Sequence, residues 1–238
     1  MKIAVYGMGR FGSFWASLLT GEFDVSGYSR SGREIPENVT RINSEEQFSE
    51  FDTVFLCCAI NAVEEVLERL SPILKPEVTV IDTCSVKVEP ARLMEKLLSE
   101  TAGIIATHPM FGPDSGRNGV EGLPLVYHPV RDSRGCGKFW YDVFDRMGLK
   151  IHEMTPDAHD QEAAFTQGIT HFIGRVLDEL ELKESSIATL GYTKLQEIVE
   201  QTCNDPIQLF LDLQKFNPHT EEMRVRLKKA LHDTMELF

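Results

Sequence analysis

The chain predicts an α/β protein, a doubly wound sheet followed by a smaller all-helical domain. Three observations carry that prediction. A GxGxxG turn at 7–12 follows a β-rich apolar run at 2–6 and precedes a helix-compatible stretch at 13–19. Short apolar runs of strand length then alternate with helically spaced stretches up to about residue 153. After Thr155-Pro156-Asp157 the strand signals stop and helical patterns continue to the last residue. The expected division is therefore 1–153, a Rossmann-type domain, and 154–238, a helical domain.

The totals bound the rest. A length of 238 residues suits one large domain or two modest ones. The hydrophobic fraction of 42% is enough for a core, and 26% charged is ordinary for a globular chain. A net charge of −13 argues against nucleic acid as a partner, because phosphate-backbone binding needs clustered positive charge. An anionic small molecule feels only local charge and is not excluded. The five cysteines, Cys57, Cys58, Cys84, Cys136 and Cys203, are odd in number and lack CxxC spacing. Reduced thiols in a cytoplasmic protein are expected, with neither disulfides nor a bound metal. The first residues run straight into a strand pattern, so no signal peptide is expected. No apolar run approaches the roughly 20 residues of a membrane helix.

Taken in order, the glycine turn comes first. Gly7 allows the tight turn, Gly9 lets backbone approach a pyrophosphate, and Gly12 lets helix and strand pack closely. With Met8, Arg10 and Phe11 they form a dinucleotide-binding candidate, the phosphates facing free N–H groups at the helix start. The second strand, 24–28, ends in Ser29-Arg30-Ser31, with Arg33 just beyond. An NAD-specific site would place a carboxylate there for the ribose 2′-hydroxyl. Hydroxyls and guanidinium groups suit a 2′-phosphate instead, so NADP is the expected cofactor.

Residues 45–52 read as a short helix and turn, 53–58 as a buried strand, 63–74 as a helix and 78–81 as the next strand. Cys58, at the end of the 53–58 run, is placed with the cofactor-binding residues. The 78–81 strand leads into Asp82-Thr83-Cys84-Ser85-Val86-Lys87. There Ser85 either bonds a substrate hydroxyl or caps the helix at 89–98, and Lys87 either holds a carboxylate or is solvated. Cys84 shows no sign of a lowered pKa and has no expected catalytic role. The 104–107 run is a buried strand ending in His108-Pro109, and Gly112-Pro113 and Gly116 mark a loop. A histidine at the exit of a parallel strand points into the crevice where open α/β sheets bind ligands, and it titrates near neutral pH. It is either a base or a loop histidine bonded to backbone. A strand at 123–127, a helix at 137–147 and a strand at 149–154 complete the first domain.

In the second domain, helices are expected at 160–182, 185–201, 206–216 and 218–238. A helical domain of about 85 residues is small for a core of its own. Its apolar faces are expected to pack on the first domain and on a second copy, giving a homodimer. Gln167, Thr170, His171 and Arg175 lie on the first helix, and His171 and Arg175 share a face. That face is either substrate-binding or simply an exposed or interface surface. Asp205-Pro206 with Gln208 reads as a helix cap, a role sufficient by itself, to which a functional reading adds a carboxylate.

Several stretches together carry a resemblance. They are GMGRFG, YSRS, SVK (85–87), THPMFGPDSG, HDQEAA (159–164), THFIGRVL (170–177), GYTKL (191–195) and NDPIQLF (204–210). Spread over nearly the whole chain in this order, they resemble the prephenate/arogenate dehydrogenase family, most of all its plant-type arogenate dehydrogenases. HPMFGP and the second-domain pieces are specific to it; the glycine motif is not. The resemblance implies a Rossmann domain with a helical dimerisation domain. It also implies NAD(P)-dependent oxidative decarboxylation of a cyclohexadienyl substrate, giving tyrosine from L-arogenate or 4-hydroxyphenylpyruvate from prephenate. It makes His108 the acceptor of the ring-hydroxyl proton, Ser85 the serine that bonds hydroxyl and histidine, and His171 a substrate-side histidine. Many bacterial relatives have an arginine one turn after the Asp-Pro, where this chain reads Gln208-Leu209-Phe210. The ring carboxylate then falls to Lys87, Arg175 or Lys194, and Asp205 is a candidate for the arogenate ammonium.

Two other readings compete. A hydroxyacid dehydrogenase would want a catalytic lysine on the second-domain helix, and 160–182 has none. A non-catalytic NADP sensor would have no need of Ser85, His108 and His171 together.

Overall fold

The computed structural model describes residues 1–238. The chain divides into two compact units, Met1–Pro156 and Asp157–Phe238.

The first unit is an eight-stranded, mostly parallel sheet with helices, a Rossmann-like fold. Its strands are β1 (Ile3–Tyr6), β2 (Val25–Tyr28), β3 (Thr40–Ile42), β4 (Thr53–Leu56), β5 (Thr79–Asp82), β6 (Gly103–Pro109), β7 (Pro124–Arg131) and β8 (Lys150–Glu153). They lie in the order β3-β2-β1-β4-β5-β6-β7-β8, reversing direction of progression at β1. Helices α1 (Arg10–Leu19), α2 (Val63–Leu70), α3 (Val88–Leu97) and α4 (Cys136–Arg146) complete it. Strands β1, β4 and β5 are buried at every residue, as strands covered on both faces must be. Their near-continuous apolar sequences follow from that burial.

The core on one face is aromatic. Trp15, Phe55, Tyr127, Trp140 and Phe144 are all at most 1% exposed. Phe55 and Trp140 meet edge to face with centroids 4.9 Å apart, and Trp15 meets Phe144 at 5.9 Å. Each such ring contributes on the order of 3–5 kcal/mol, judged by what truncation to alanine costs. This cluster holds α1 and α4 to the sheet, and with α1 the glycine turn.

Three details depart from the sequence reading. First, β6 is parallel to β5 but antiparallel to β7, with His108 opposite Val126. His108 is therefore the next-to-last residue of β6, two residues past its last parallel pairing with β5 and still paired with β7. The reason is the 110–123 loop, which returns the chain alongside β6, with Met110 N–H donating to Pro124 O at 3.0 Å. Second, β3 was not expected; three residues with two exposed give no period-2 signal. Third, the helix expected at 185–201 begins only at Leu190, where the Thr189 hydroxyl accepts from Tyr192 N–H.

The second unit contains α5 (Pro156–Ala163), a π-helical turn at Ala164–Gly168, α6 (Ile169–Asp178), α7 (Leu190–Cys203), α8 (Ile207–Phe216) and α9 (Thr220–Met235). It buries polar as well as apolar groups. His159 Nδ1 and Asp160 Oδ1 are 2.7 Å apart, both residues buried, and Asn217 Nδ2 donates to Asp160 O. Helices α6 and α7 cross closely at Gly174, where a Cβ would lie 2.0 Å from Thr202 Oγ1. A glycine is required there.

Candidate functional site

The glycine turn is built by backbone contacts. Gly7 has φ +103°, and a Cβ there would meet Cys57 O at 2.5 Å. A Cβ on Gly12 would meet Gly7 O at 1.8 Å. At Gly9 the nearest atom to a Cβ is Arg33 Nη1, 3.9 Å away. The first and third glycines are thus demanded by the fold, and the second faces open space. Gly9 is the N-cap of α1 and no side chain caps the helix. The arrangement fits a phosphate: open approach, uncapped N–H groups and a positive helix end.

The neighbours divide by where their side chains go. Met8 is 2% exposed and lies under Gly27, whose Cβ would meet Met8 Sδ at 2.6 Å. Phe11 stacks on Trp15 at 5.8 Å. The Met8 side chain belongs to the core, so only its backbone is open to a cofactor, while Phe11 is partly buried against that core. Arg10 is exposed and pairs with Asp114. At the end of β2, Ser29 Oγ accepts from Arg33 N–H at 3.0 Å, and Gly32 adopts φ +69° to close the turn. Arg30 reaches Glu65 Oε1 at 3.3 Å, and that carboxylate also receives Arg69 at 2.8 Å. Ser31 is exposed. Glu65 is a carboxylate brought to this cluster by tertiary structure, from α2. Burial pushes the Cys57 and Cys58 thiols up to about 12 and Cys84 well above its usual value. These thiols stay neutral and are poor nucleophiles.

At the C-terminal end of β5 and β6 stands a buried ion pair. Asp82 is the last residue of β5 and Lys87 is the N-cap of α3; they are 0% and 1% exposed. Lys87 Nζ bonds Asp82 Oδ1 and donates to Thr107 O at 2.5 Å. Cys84 N–H donates to the same Asp82 oxygen at 3.0 Å, and Thr107 Oγ1 donates to Asp82 O at 2.6 Å. Asp82 Oδ2 has no partner. Burial raises the Asp82 pKa, against the Lys87 charge, which lowers it. Lys87 is not solvated: its ammonium is buried and held by Asp82 and Thr107. His108, the next residue, is 3% exposed. Ser85 is half-buried, and no side chain caps α3. The capping role open to Ser85 in the sequence is not the one it has.

In the second unit, Gln167, His171 and Arg175 stand four apart along the π turn and α6. Gln167 Oε1, His171 Nδ1 and Arg175 Nε are all buried without a hydrogen-bond partner. One helix face thus carries three polar atoms unsatisfied by the chain, a costly arrangement unless water or a ligand meets them. The π turn has local causes. Thr166 and Thr170 hydroxyls donate back to the carbonyls of Glu162 and Thr166, and Gln214 Nε2 takes the Gly168 carbonyl at 3.0 Å. Arg175 Nη2 donates to Thr202 O at 3.2 Å and Asp205 O at 2.9 Å. The His171 pKa is lowered, first by burial; Asp205 raises it and Arg175 lowers it. Lys194, on α7, is exposed.

The Asp205 cap is a correction. Helix α8 starts at Ile207, with Pro206 at its N-cap and no side-chain cap bond. Pro206 keeps an extended ψ of 139°, which moves Asp205 one residue too far upstream. Gln208 turns forward to Asp212 Oδ1 at 2.7 Å. The Asp205 carboxylate thereby caps no helix, while its carbonyl accepts from Arg175.

Sequence reasoning missed Asp82 and Thr107. The available signal was a carboxylate closing an apolar strand five residues before a lysine.

No helix of the chain is long and apolar enough to cross a membrane. The family described as prephenate dehydrogenase, nucleotide-binding domain, matches residues 24–125, and a TYRAAT1-like C-terminal domain matches 176–238. The chain is 36% identical to Arogenate dehydrogenase 2, chloroplastic, of Arabidopsis thaliana, covering 100% of this chain and 70% of that protein. It is also 36% identical to Arogenate dehydrogenase 1, chloroplastic, of the same plant, over 97% of this chain and 38% of that longer protein. Among solved structures, prephenate dehydrogenase from A. aeolicus in complex with hydroxyphenyl propionate and NAD+ superposes with a TM-score of 0.76 at 21% identity, covering 100% of this chain and 90% of that one. Synechocystis arogenate dehydrogenase gives 0.73 at 22% identity, with 100% and 91% covered.

Proposed function

The chain belongs to the prephenate/arogenate dehydrogenase family, and from that premise we propose that it is an NADP-dependent arogenate dehydrogenase forming L-tyrosine. The observation that carries the chemistry is a buried histidine, His108, near the end of β6 and beside the clamped end of β5. His108 is the base that takes the ring-hydroxyl proton, and Ser85 is the hydroxyl that bonds substrate and imidazole. The nicotinamide, when bound, supplies a two-electron acceptor for the carbinol hydride. As the proton leaves oxygen and the hydride leaves carbon, a ring carbonyl forms. That carbonyl is conjugated to the carbon bearing the carboxylate, whose C–C bond breaks to release carbon dioxide and leave an aromatic ring. The chain's own work is positioning, one proton transfer and holding an anion.

Cofactor choice follows from the end of β2. Ser29, Arg30, Ser31 and Arg33 offer hydroxyls and guanidinium groups, which supports the 2′-phosphate of NADP, with the Glu65 carboxylate from α2 neutralised by Arg30 and Arg69. Gly7, Met8, Gly9, Arg10, Phe11, Gly12 and Cys58 complete the cofactor set, Met8 by backbone. In the second unit Gln167, His171 and Arg175 are the substrate-side donors and acceptors, supported by their unsatisfied atoms. Asp205 is the partner of the arogenate ammonium, supported by its freedom from capping. The helical unit exposes Ile187, Leu190, Ile207, Val225 and Met235, each more than half exposed. Apolar side chains so placed support a homodimer through this unit.

Purified protein is assayed at 340 nm with L-arogenate or prephenate and with NADP or NAD. Turnover with arogenate and NADP alone is the expected result. Prephenate turnover would keep the chemistry and remove Asp205's role. NADP binding without turnover on either substrate would overturn the proposal in favour of a sensor.

A further inference from the structure

We propose that Lys87 is a positioning residue for the base, its buried ammonium tying the end of β5 to the peptide group that precedes His108. The proposal rests on the reading of His108 as base.

The β5–β6 ladder ends at Asp82 opposite Ala106, so β6 runs beyond its neighbour with Thr107, His108 and Pro109. Past that point the ladder offers the Thr107 carbonyl no partner from β5. The Lys87 ammonium takes that carbonyl at 2.5 Å. Thr107 C=O and His108 N–H belong to one rigid peptide plane, so fixing the carbonyl fixes the start of the histidine. The same ammonium bonds Asp82 Oδ1, which also receives Cys84 N–H at 3.0 Å. Thr107 Oγ1 closes the circuit on Asp82 O at 2.6 Å. One cation therefore joins the end of β5, the 83–87 loop with Ser85, the start of α3 and the backbone of His108. At 1% exposed it is not available to a solvent-borne substrate.

The test compares wild type with Lys87→Met and with Asp82→Asn/Lys87→Met. The double variant removes both buried charges, so no uncompensated ion is left to unfold the chain. Circular dichroism and NADP binding establish which variants fold. The expected result is a double variant with near wild-type thermal stability, a KM for substrate within about threefold, and a kcat at least about tenfold lower. A kcat that recovers together with stability would make the pair merely structural and overturn the proposal. A loss confined to KM would overturn it in favour of direct substrate contact. Backbone NMR gives a reading that needs no turnover. The His108 amide signal should move, and its hydrogen exchange should quicken by about tenfold or more in the double variant. An unchanged His108 amide overturns the proposal, whereas a wild type lacking turnover with an altered amide in the double variant defeats only the base assignment.

Discussion

Two buried polar groupings, one in each unit, differ in how much of their bonding is made within the chain. At the end of β5, Lys87 meets Asp82 and Thr107, and three elements are tied together. Along the π turn and α6, Gln167 Oε1, His171 Nδ1 and Arg175 Nε are equally buried and meet nothing. A bonded buried charge holds structure, and unsatisfied buried atoms in a row call for water or a ligand to meet them. The contrast reverses a guess that charge alone invites. Lys87 is the cation bonded to the peptide carbonyl that precedes His108, and it is already engaged.

The largest test of this contrast is His108→Ala. It should lower kcat/KM by about 10³-fold while NADP affinity stays unchanged, measured by steady-state kinetics and cofactor titration. Next, Lys87→Met should destabilise the first unit by about 3–5 kcal/mol in urea at neutral pH, because Asp82 is left buried and unpaired. Arg175→Met should cost about 2 kcal/mol in the second unit, since the Thr202 and Asp205 carbonyls lose a charged donor. Equal and large stability losses at Lys87 and Arg175 would erase the distinction between a clamp and a ligand face. Arg30→Ala should weaken NADP about tenfold, about 1.4 kcal/mol, and leave NAD unchanged in the same titration.

The smallest effect is a pH dependence. Burial lowers the His171 pKa in the folded chain, so below about pH 6.5 the unfolded chain binds a proton that the folded chain refuses. Stability is full above that pH and falls as pH drops through the interval down to the folded value. His171→Gln should remove this slope from urea midpoints measured between pH 5 and 8. A slope that persists would place the responsible group elsewhere.

Much of the fold was legible because its signals are local. The glycine turn, the apolar strands and the loss of strand patterning near residue 155 depend on neighbours in sequence. The direction of β7 was not legible. An apolar run reads alike in either direction, and only the Met110–Pro124 return and the Val126–His108 pairing decide it. The Asp205 cap failed for a subtler reason: Asp-Pro is a fair cap signature, and one extended ψ at Pro206 moved the helix start by a residue.

By itself the sequence determined the α/β class, the nucleotide turn, the family and the candidates His108, Ser85 and His171. The first two follow from residue type and spacing along the chain, and the family and the three candidates from the motifs that carry the resemblance. Tertiary structure decided which polar groups are engaged. It gave Lys87 to Asp82 and Thr107, Arg30 to Glu65, and Arg175 in part to the end of α7, while leaving His171 Nδ1 unpartnered. The physical reason is that the electrostatics of a buried group depend on atoms within a few ångströms, and those atoms come from anywhere in the chain.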